Sequence, residues 1–145
     1  MQRDGQAIGT IRERNMTIGE HRVVLVDDDK SVRVALSRLF RSADMEFAAF
    51  ESAEEFLGSE TLDSTACLIV DVVMPRMRGL ELQEICSKRR SALPIIMISA
   101  FSDDDAEKRA HRAGALAFLH KPFDATSLLC LVRDALEPGD KNGCK

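Results

Sequence analysis

Cys67-Leu68-Ile69-Val70-Asp71 is the stretch from which the fold is read. Its apolar run lies between Ser64-Thr65 and Pro75, and it does not alternate with polar residues as a half-exposed strand would. It therefore reads as a strand buried on both faces. The strand passes straight into Val72-Val73-Met74-Pro75-Arg76-Met77-Arg78-Gly79, a loop that contains a proline and closes on a glycine. Asp71 is thus a carboxylate held at the rim of a sheet. Upstream, Val23-Val24-Leu25-Val26 ends in the same way, in Asp27-Asp28-Asp29. If the two strands are parallel neighbours, their carboxylates converge and repel one another. A hard divalent cation and a fixed lysine would neutralise such a cluster.

Working outward, a first strand at 22–27 leads into Lys30–Phe40, where Val32, Ala35, Leu36, Leu39 and Phe40 fall at helical spacing and Asp29 can cap the start. A second strand covers Met45–Phe50, and Ser52-Ala53-Glu54-Glu55 fits a capping box opening a helix that stops near Gly58. After Gly79 a third helix turns Leu80, Leu82, Ile85 and Cys86 inward. Pro94–Ser99 is a fourth strand. Ser102-Asp103-Asp104-Asp105 opens a fourth helix that Gly114 ends, and Ala115–Leu119 is a fifth strand. Beyond Lys121-Pro122, Asp124 caps a last helix carrying Leu128, Leu129, Leu131, Val132 and Leu136. Strands alternating with helices over short connections predict an α/β fold, a flavodoxin-like doubly wound five-stranded parallel sheet of order 2-1-3-4-5 with five helices. In such sheets the site lies beyond the carboxyl ends of the strands where the winding reverses, here between strands one and three.

The 145 residues suffice for one core, and a net charge of -4 argues against a general nucleic-acid or anionic-membrane binder. No apolar stretch approaches the roughly 18 residues of a membrane span, and charges interrupt the N-terminus where a signal peptide would be apolar. The chain is expected in the cytoplasm. Residues 1–20 read as a flexible N-terminal extension, 21–138 as the domain and 139–145 as a short polar tail. Cys67, Cys86, Cys130 and Cys144 show no metal or redox spacing. The first three read as small core residues and Cys144 as a free thiol in the tail. His21, His111 and His120 form no cluster visible in the sequence and read as structural or surface residues.

At the predicted rim Asp27, Asp28, Asp71, Ser99 and Lys121 can meet. Oxygen ligands at this density suit Mg²⁺, and no nitrogen or sulfur set for zinc accompanies them. A lysine and a hydroxyl beside a metal-bound carboxylate suggest phosphoryl transfer, with the carboxylate attacking in line.

The motifs Val-Leu-Val-Asp-Asp-Asp at 24–29, Asp-Val-Val-Met-Pro-Arg-Met-Arg-Gly at 71–79, Ile-Ser-Ala at 98–100 and Lys-Pro-Phe at 121–123 resemble a response-regulator receiver domain of bacterial two-component signalling. The stretches at 31–36, 50–57 and 118–124 are similar to FixJ-type receivers. The resemblance covers about residues 22–137. It implies that Asp71 accepts phosphate from a sensor histidine kinase. It implies further that Asp28, Asp71 and the backbone carbonyl of Val73 bind Mg²⁺, with Asp27 acting through water. Lys121 would pair with Asp71 and then with the phosphoryl group, across a cis Lys121–Pro122 bond. Ser99 and Phe118 would be the switch pair, and the face of helix four, strand five and helix five the responding surface. A downstream protein is implied but not identified, and the assembly would be a monomer or a phosphorylation-dependent dimer.

This sequence departs from the family pattern in the loop arginines Arg76 and Arg78, read as a solvated pair. The apolar Val73 and Phe101 stand two residues after Asp71 and Ser99, where they would hinder an attacking water and slow autodephosphorylation. Val73 also occupies the place of the second acid of an aspartyl phosphatase, so turnover of phosphoesters is not expected. No glycine-rich phosphate loop follows strand one. With no helix-turn-helix after Leu136, a stand-alone receiver is expected. The alternatives are a receiver piece of a helix-turn-helix regulator, or a scaffold that works without phosphorylation.

Overall fold

The computed structural model describes residues 22–100 and 103–136. The readings placed on residues 1–20, His21, Phe101, Ser102, Cys144 and the tail at 139–145 lie outside the described residues.

In chain order the elements are β1 (Arg22–Val26), α1 (Lys30–Ser42), β2 (Glu46–Phe50), α2 (Ala53–Gly58), β3 (Thr65–Asp71), α3 (Gly79–Arg89), β4 (Ile95–Ser99), α4 (Asp104–Arg112), β5 (Ala117–His120) and α5 (Ala125–Leu136), with a short 3₁₀ turn at Leu62–Ser64. The strands form one sheet of order β2-β1-β3-β4-β5, and every pairing is parallel. This is the expected architecture.

Alternation along the strands divides the core in two. Val24, Val26, Leu68, Val70, Met97 and Phe118 face α2, α3 and α4. Val23, Leu25, Cys67, Ile69, Ile96 and Ile98 face α1 and α5, meeting Leu36, Phe40, Leu128 and Val132. Each such side chain contributes about 1.5–3 kcal/mol on burial. Asp29 and Ser52 cap their helices as expected, and of the Ser102–Asp105 stretch it is Asp103 that caps α4. Asp29 accepts from the Ser31 N–H at 2.9 Å, Ser52 from the Glu55 N–H at 3.0 Å, and Asp103 from the Ala106 N–H at 3.1 Å. The capping box at Ser52 is displaced, because Glu55 reaches the N–H of Glu51 at 2.9 Å instead of that of Ser52.

Three local readings are corrected. On α1, Ala35 is exposed, and the buried stripe narrows to Leu36 and Phe40, whose ring stacks on Phe47 at 5.3 Å. On α3, Leu82 and Cys86 face inward as expected, but Gln83 joins them while Leu80 and Ile85 are only half-buried. Gln83 enters the core because its Nε2 donates to the Ala110 carbonyl at 2.9 Å, tying α3 to α4. β5 begins at Ala117 rather than Ala115. Gly114 turns the chain at φ +96°, and the Ala115 N–H still bonds back to Ala110 at 2.9 Å, so those two residues finish the preceding helix.

Burial pushes the Cys67 and Cys86 thiols up to about 12 and about 11, which keeps them protonated and inert. Gly79 has a steric reason. A Cβ there would overlap the Asp71 carbonyl oxygen and lie 2.8 Å from the Val72 Cα, while its N–H bonds to the Val72 carbonyl at 3.1 Å. The β3–α3 loop is therefore folded tightly under Asp71.

Candidate functional site

β1 and β3 run side by side, with Val26 opposite Val70, so the residues that follow them emerge together at the carboxyl edge. Asp27 and Asp71 are both buried, at 0% and 4% exposure, and Asp28 is exposed at the rim. Carboxylate oxygens of Asp27, Asp28 and Asp71 lie within 4.8 Å of one another. Each buried acid is held by a backbone donor two residues on. Asp27 Oδ1 accepts from the Asp29 N–H at 2.9 Å, and Asp71 Oδ1 from the Val73 N–H at 3.2 Å.

Lys121 arrives from the far side of the sheet. Its N–H bonds to the carbonyl of Ser99, the last residue of β4, at 2.7 Å, and a cis bond joins it to Pro122. Its Nζ then reaches Asp27 Oδ2 at 3.0 Å and Asp71 Oδ2 at 3.5 Å. The lysine thus donates to Asp71 Oδ2, the pairing expected, and in addition stands closer still to Asp27, so it bridges both acids. Arg33 on α1 supports the same corner by donating to the Asp27 carbonyl at 2.8 Å.

The electrostatics follow from this crowding. Burial, then the charge of Asp27, push the Asp71 carboxyl up to about 7 against the opposing pull of Lys121. Burial works against the Lys121 ammonium, yet its bond to Asp27 and the charges of Asp27 and Asp71 outweigh it and raise its pKa. Asp27 Oδ2, fully buried, has the Lys121 ammonium at 3.0 Å as its charged partner. Three carboxylates whose oxygens lie within 4.8 Å of one another, with no nitrogen or sulfur ligand among them, fit a hard oxygen-seeking cation.

Ser99 is buried at the tip of β4, opposite His120 in the ladder. Phe118 lies on β5, buried in the core with Ala106 and Ala110 of α4, and its ring meets that of His120 at 5.4 Å. Val73 is 42% exposed at the rim. The loop arginine Arg76 is solvated as expected, but it also pairs with Glu54 of α2 at 3.7 Å, and Glu54 accepts from the Met77 N–H at 3.1 Å.

One group was not visible in the sequence. Glu107 of α4 lies between two histidines, with His111 Nε2 at 3.7 Å and His120 Nε2 at 3.9 Å. His111 and His120 are surface residues, as expected, and the structure adds that each stands near the same Glu107. The spacing of Glu107 and His111 was legible, but the arrival of His120 depends on how β5 lies against α4.

Comparison with known proteins gives a consistent picture. The model of the response regulator receiver domain family matches residues 23–133. The response regulator protein TmoT of Ectopseudomonas mendocina is 38% identical over 129 residues, covering 89% of this chain and 59% of that protein. Nodulation protein W of Bradyrhizobium diazoefficiens is 42% identical over 115 residues, covering 79% of this chain and 51% of that protein. The chain therefore spans little more than half the length of these relatives. Among solved structures, FixJ-N superposes with a TM-score of 0.72 at 29% identity, over 83% of this chain and 96% of that one.

Proposed function

This chain belongs to the response regulator receiver family, and on that premise we propose that Asp71 takes a phosphoryl group from a phosphohistidine of a sensor histidine kinase, with Mg²⁺ as cofactor. An Asp71 oxygen forms the new O–P bond as the P–N bond breaks. The imidazole leaves with the electron pair and is then protonated. The observation that carries this reading is the single ammonium of Lys121 set 3.0 Å from Asp27 and 3.5 Å from Asp71 at the sheet rim. It offsets the acids before transfer and moves to the phosphoryl oxygens afterwards. Asp28, Asp71 and the Val73 carbonyl would hold Mg²⁺, with Asp27 acting through water. The ion supplies positive charge that favours ionised Asp71 and balances the transferred oxygens.

Ser99 donates a hydrogen bond to the new phosphoryl group. Such charge-assisted bonds contribute about 1.5–3 kcal/mol each, enough to bias two packings separated by a few kcal/mol. Phe118, buried between β5 and α4, is the side chain through which that bias reaches the face of α4, β5 and α5, where a downstream protein or a second copy docks. The family is a signalling family rather than one of turnover enzymes. The apolar Val73 at the rim supports a slow autodephosphorylation, checked by a phospho-form lifetime well beyond seconds in Mg²⁺ buffer.

None of the described helices is long and apolar enough to cross a membrane, and we place the chain with its kinase partner in the cytoplasm. A second reading takes the chain as the receiver portion of a longer transcription regulator. It is favoured by the 59% and 51% coverage of TmoT and Nodulation protein W. The deciding experiment is incubation with acetyl phosphate and Mg²⁺ followed by intact mass measurement. The wild type is expected to gain one phosphoryl group and Asp71→Asn none. Retained labelling of Asp71→Asn would place the acceptor elsewhere.

A further inference from the structure

We propose that Glu54 of α2 is a positioning residue for the acceptor site, a role that rests on the phospho-acceptor reading above: it pins the β3–α3 loop and so fixes where the Val73 peptide stands beside Asp71. Four backbone N–H groups of residues 72–79 define how this loop is held. That of Val73 bonds to Asp71 Oδ1 at 3.2 Å, that of Arg78 to Glu81 Oε1 at 2.8 Å and that of Gly79 to the Val72 carbonyl at 3.1 Å. These three stay within residues 71–81. The fourth, from Met77, crosses to another element and meets Glu54 Oε2 at 3.1 Å. The other oxygen of the same carboxylate faces Arg76 Nε at 3.7 Å. One side chain therefore holds two consecutive residues of the loop tip, one by its guanidinium and one by its backbone.

The tip needs a hold from outside. Val72 and Met74 are buried, but Pro75, Arg76 and Arg78 are exposed and Met77 is only half-buried. Arg76 has φ +64°, a backbone conformation that a residue with a Cβ rarely adopts. Such a conformation persists where its surroundings over-determine it, and Glu54 contacts both Arg76 and the residue after it. α2 is a firm base for that contact. Ser52 caps it, Ala53 and Phe56 are fully buried, and the Phe56 ring packs edge-on against Phe50 at 5.5 Å. The path from the tip to the acceptor is short. Gly79, two residues beyond Met77, ties the loop back to the Val72 carbonyl, so a displaced tip pulls on the peptide that carries Val73. The pair with Arg76 is exposed on both sides, 42% for Glu54 and 68% for Arg76, and contributes little by itself. The bond to the Met77 N–H carries the positioning.

The test compares Glu54→Ala with Glu54→Gln in the full chain, by backbone amide NMR first without metal and then during titration with Mg²⁺ alone. Glutamine keeps an oxygen for the Met77 N–H and alanine keeps none. Glu54→Ala is expected to shift the amide of Val73 as well as that of Met77 before any metal is added. It should weaken Mg²⁺ by about tenfold, the low end for a residue that supports a metal ligand, with unchanged circular dichroism. Glu54→Gln should stay within about twofold of the wild type, because only the exposed ion pair is lost. An unmoved Val73 amide or an unchanged Mg²⁺ affinity in Glu54→Ala, or an equal loss in Glu54→Gln, overturns the role of Glu54. Failure of the phospho-acceptor reading would show instead in the wild type, as no response of Asp71 and Val73 to Mg²⁺, and would overturn both.

Discussion

Two groups of ionisable side chains sit at similar separations and very different depths. At the rim, Lys121 stands 3.0 Å and 3.5 Å from two acids that are almost wholly buried. At the α4–β5 corner, His111 and His120 stand 3.7 Å and 3.9 Å from Glu107; the two histidines are exposed and Glu107 is half-buried. The distances differ little but the medium differs greatly. A contact of about 4 Å between unit charges is worth about 1 kcal/mol in water and about 4 kcal/mol in a medium of the protein kind, and the desolvation cost grows with it. The rim can therefore hold its charges only by mutual neutralisation, which is why Asp71 is pushed up to about 7 while Lys121 is held charged. The corner carries no such constraint. Depth, more than distance, separates a group of charges that must neutralise one another from one that solvent already screens.

The contrast can be broken most forcefully at Lys121. Lys121→Met keeps the volume and removes the ammonium shared by two buried acids, so a loss of about 3–5 kcal/mol is expected near pH 8. Urea unfolding would show that loss shrinking towards pH 5, where a proton on Asp71 takes over part of the neutralisation. A loss independent of pH would mean that packing, not charge, holds the rim. The same variant should still accept some phosphate but fail to pass the change to α4 and β5, as spectra of residues 103–136 would report.

Gly79→Ala asks whether backbone packing also sets the rim. The added Cβ collides with main-chain atoms of Asp71 and Val72, and a loss of about 2–4 kcal/mol in denaturant titration is expected.

A smaller and opposite effect belongs to Asp71→Asn without Mg²⁺. The folded-state pKa of Asp71, about 7, lies above its ordinary value of 3.8, so the folded chain holds more protons between those values. Stability from this group is present at low pH and falls as pH rises through that window. Asn removes the penalty, so the variant should gain roughly 1–3 kcal/mol near pH 8 and nothing near pH 4. Thermal melts at both pH values would show it, and Mg²⁺ should stabilise the wild type more than the variant. The smallest effect is expected at the corner. Glu107→Gln should shift stability by no more than about 0.5 kcal/mol, and a larger loss would make the corner a structural element.

Much of this was legible along the chain because it depends on near neighbours. The unbroken apolar runs before Asp27 and Asp71 mark strands covered on both faces. Asp29, Ser52 and Asp103 mark helix starts because capping is a contact across two or three residues. Alternation of strand and helix then leaves few topologies, and the acids fall at the reversal of winding. Other features needed the third dimension. The preference of Lys121 for Asp27, the entry of Gln83 into the core, the collision that reserves position 79 for glycine and the meeting of His120 with Glu107 are settled by how distant segments cross and how deeply each side chain lies. Periodicity reports which face a residue occupies. Charge balance and close packing depend on what the opposite element brings to within a few ångströms, and only the assembled sheet and its helices decide that.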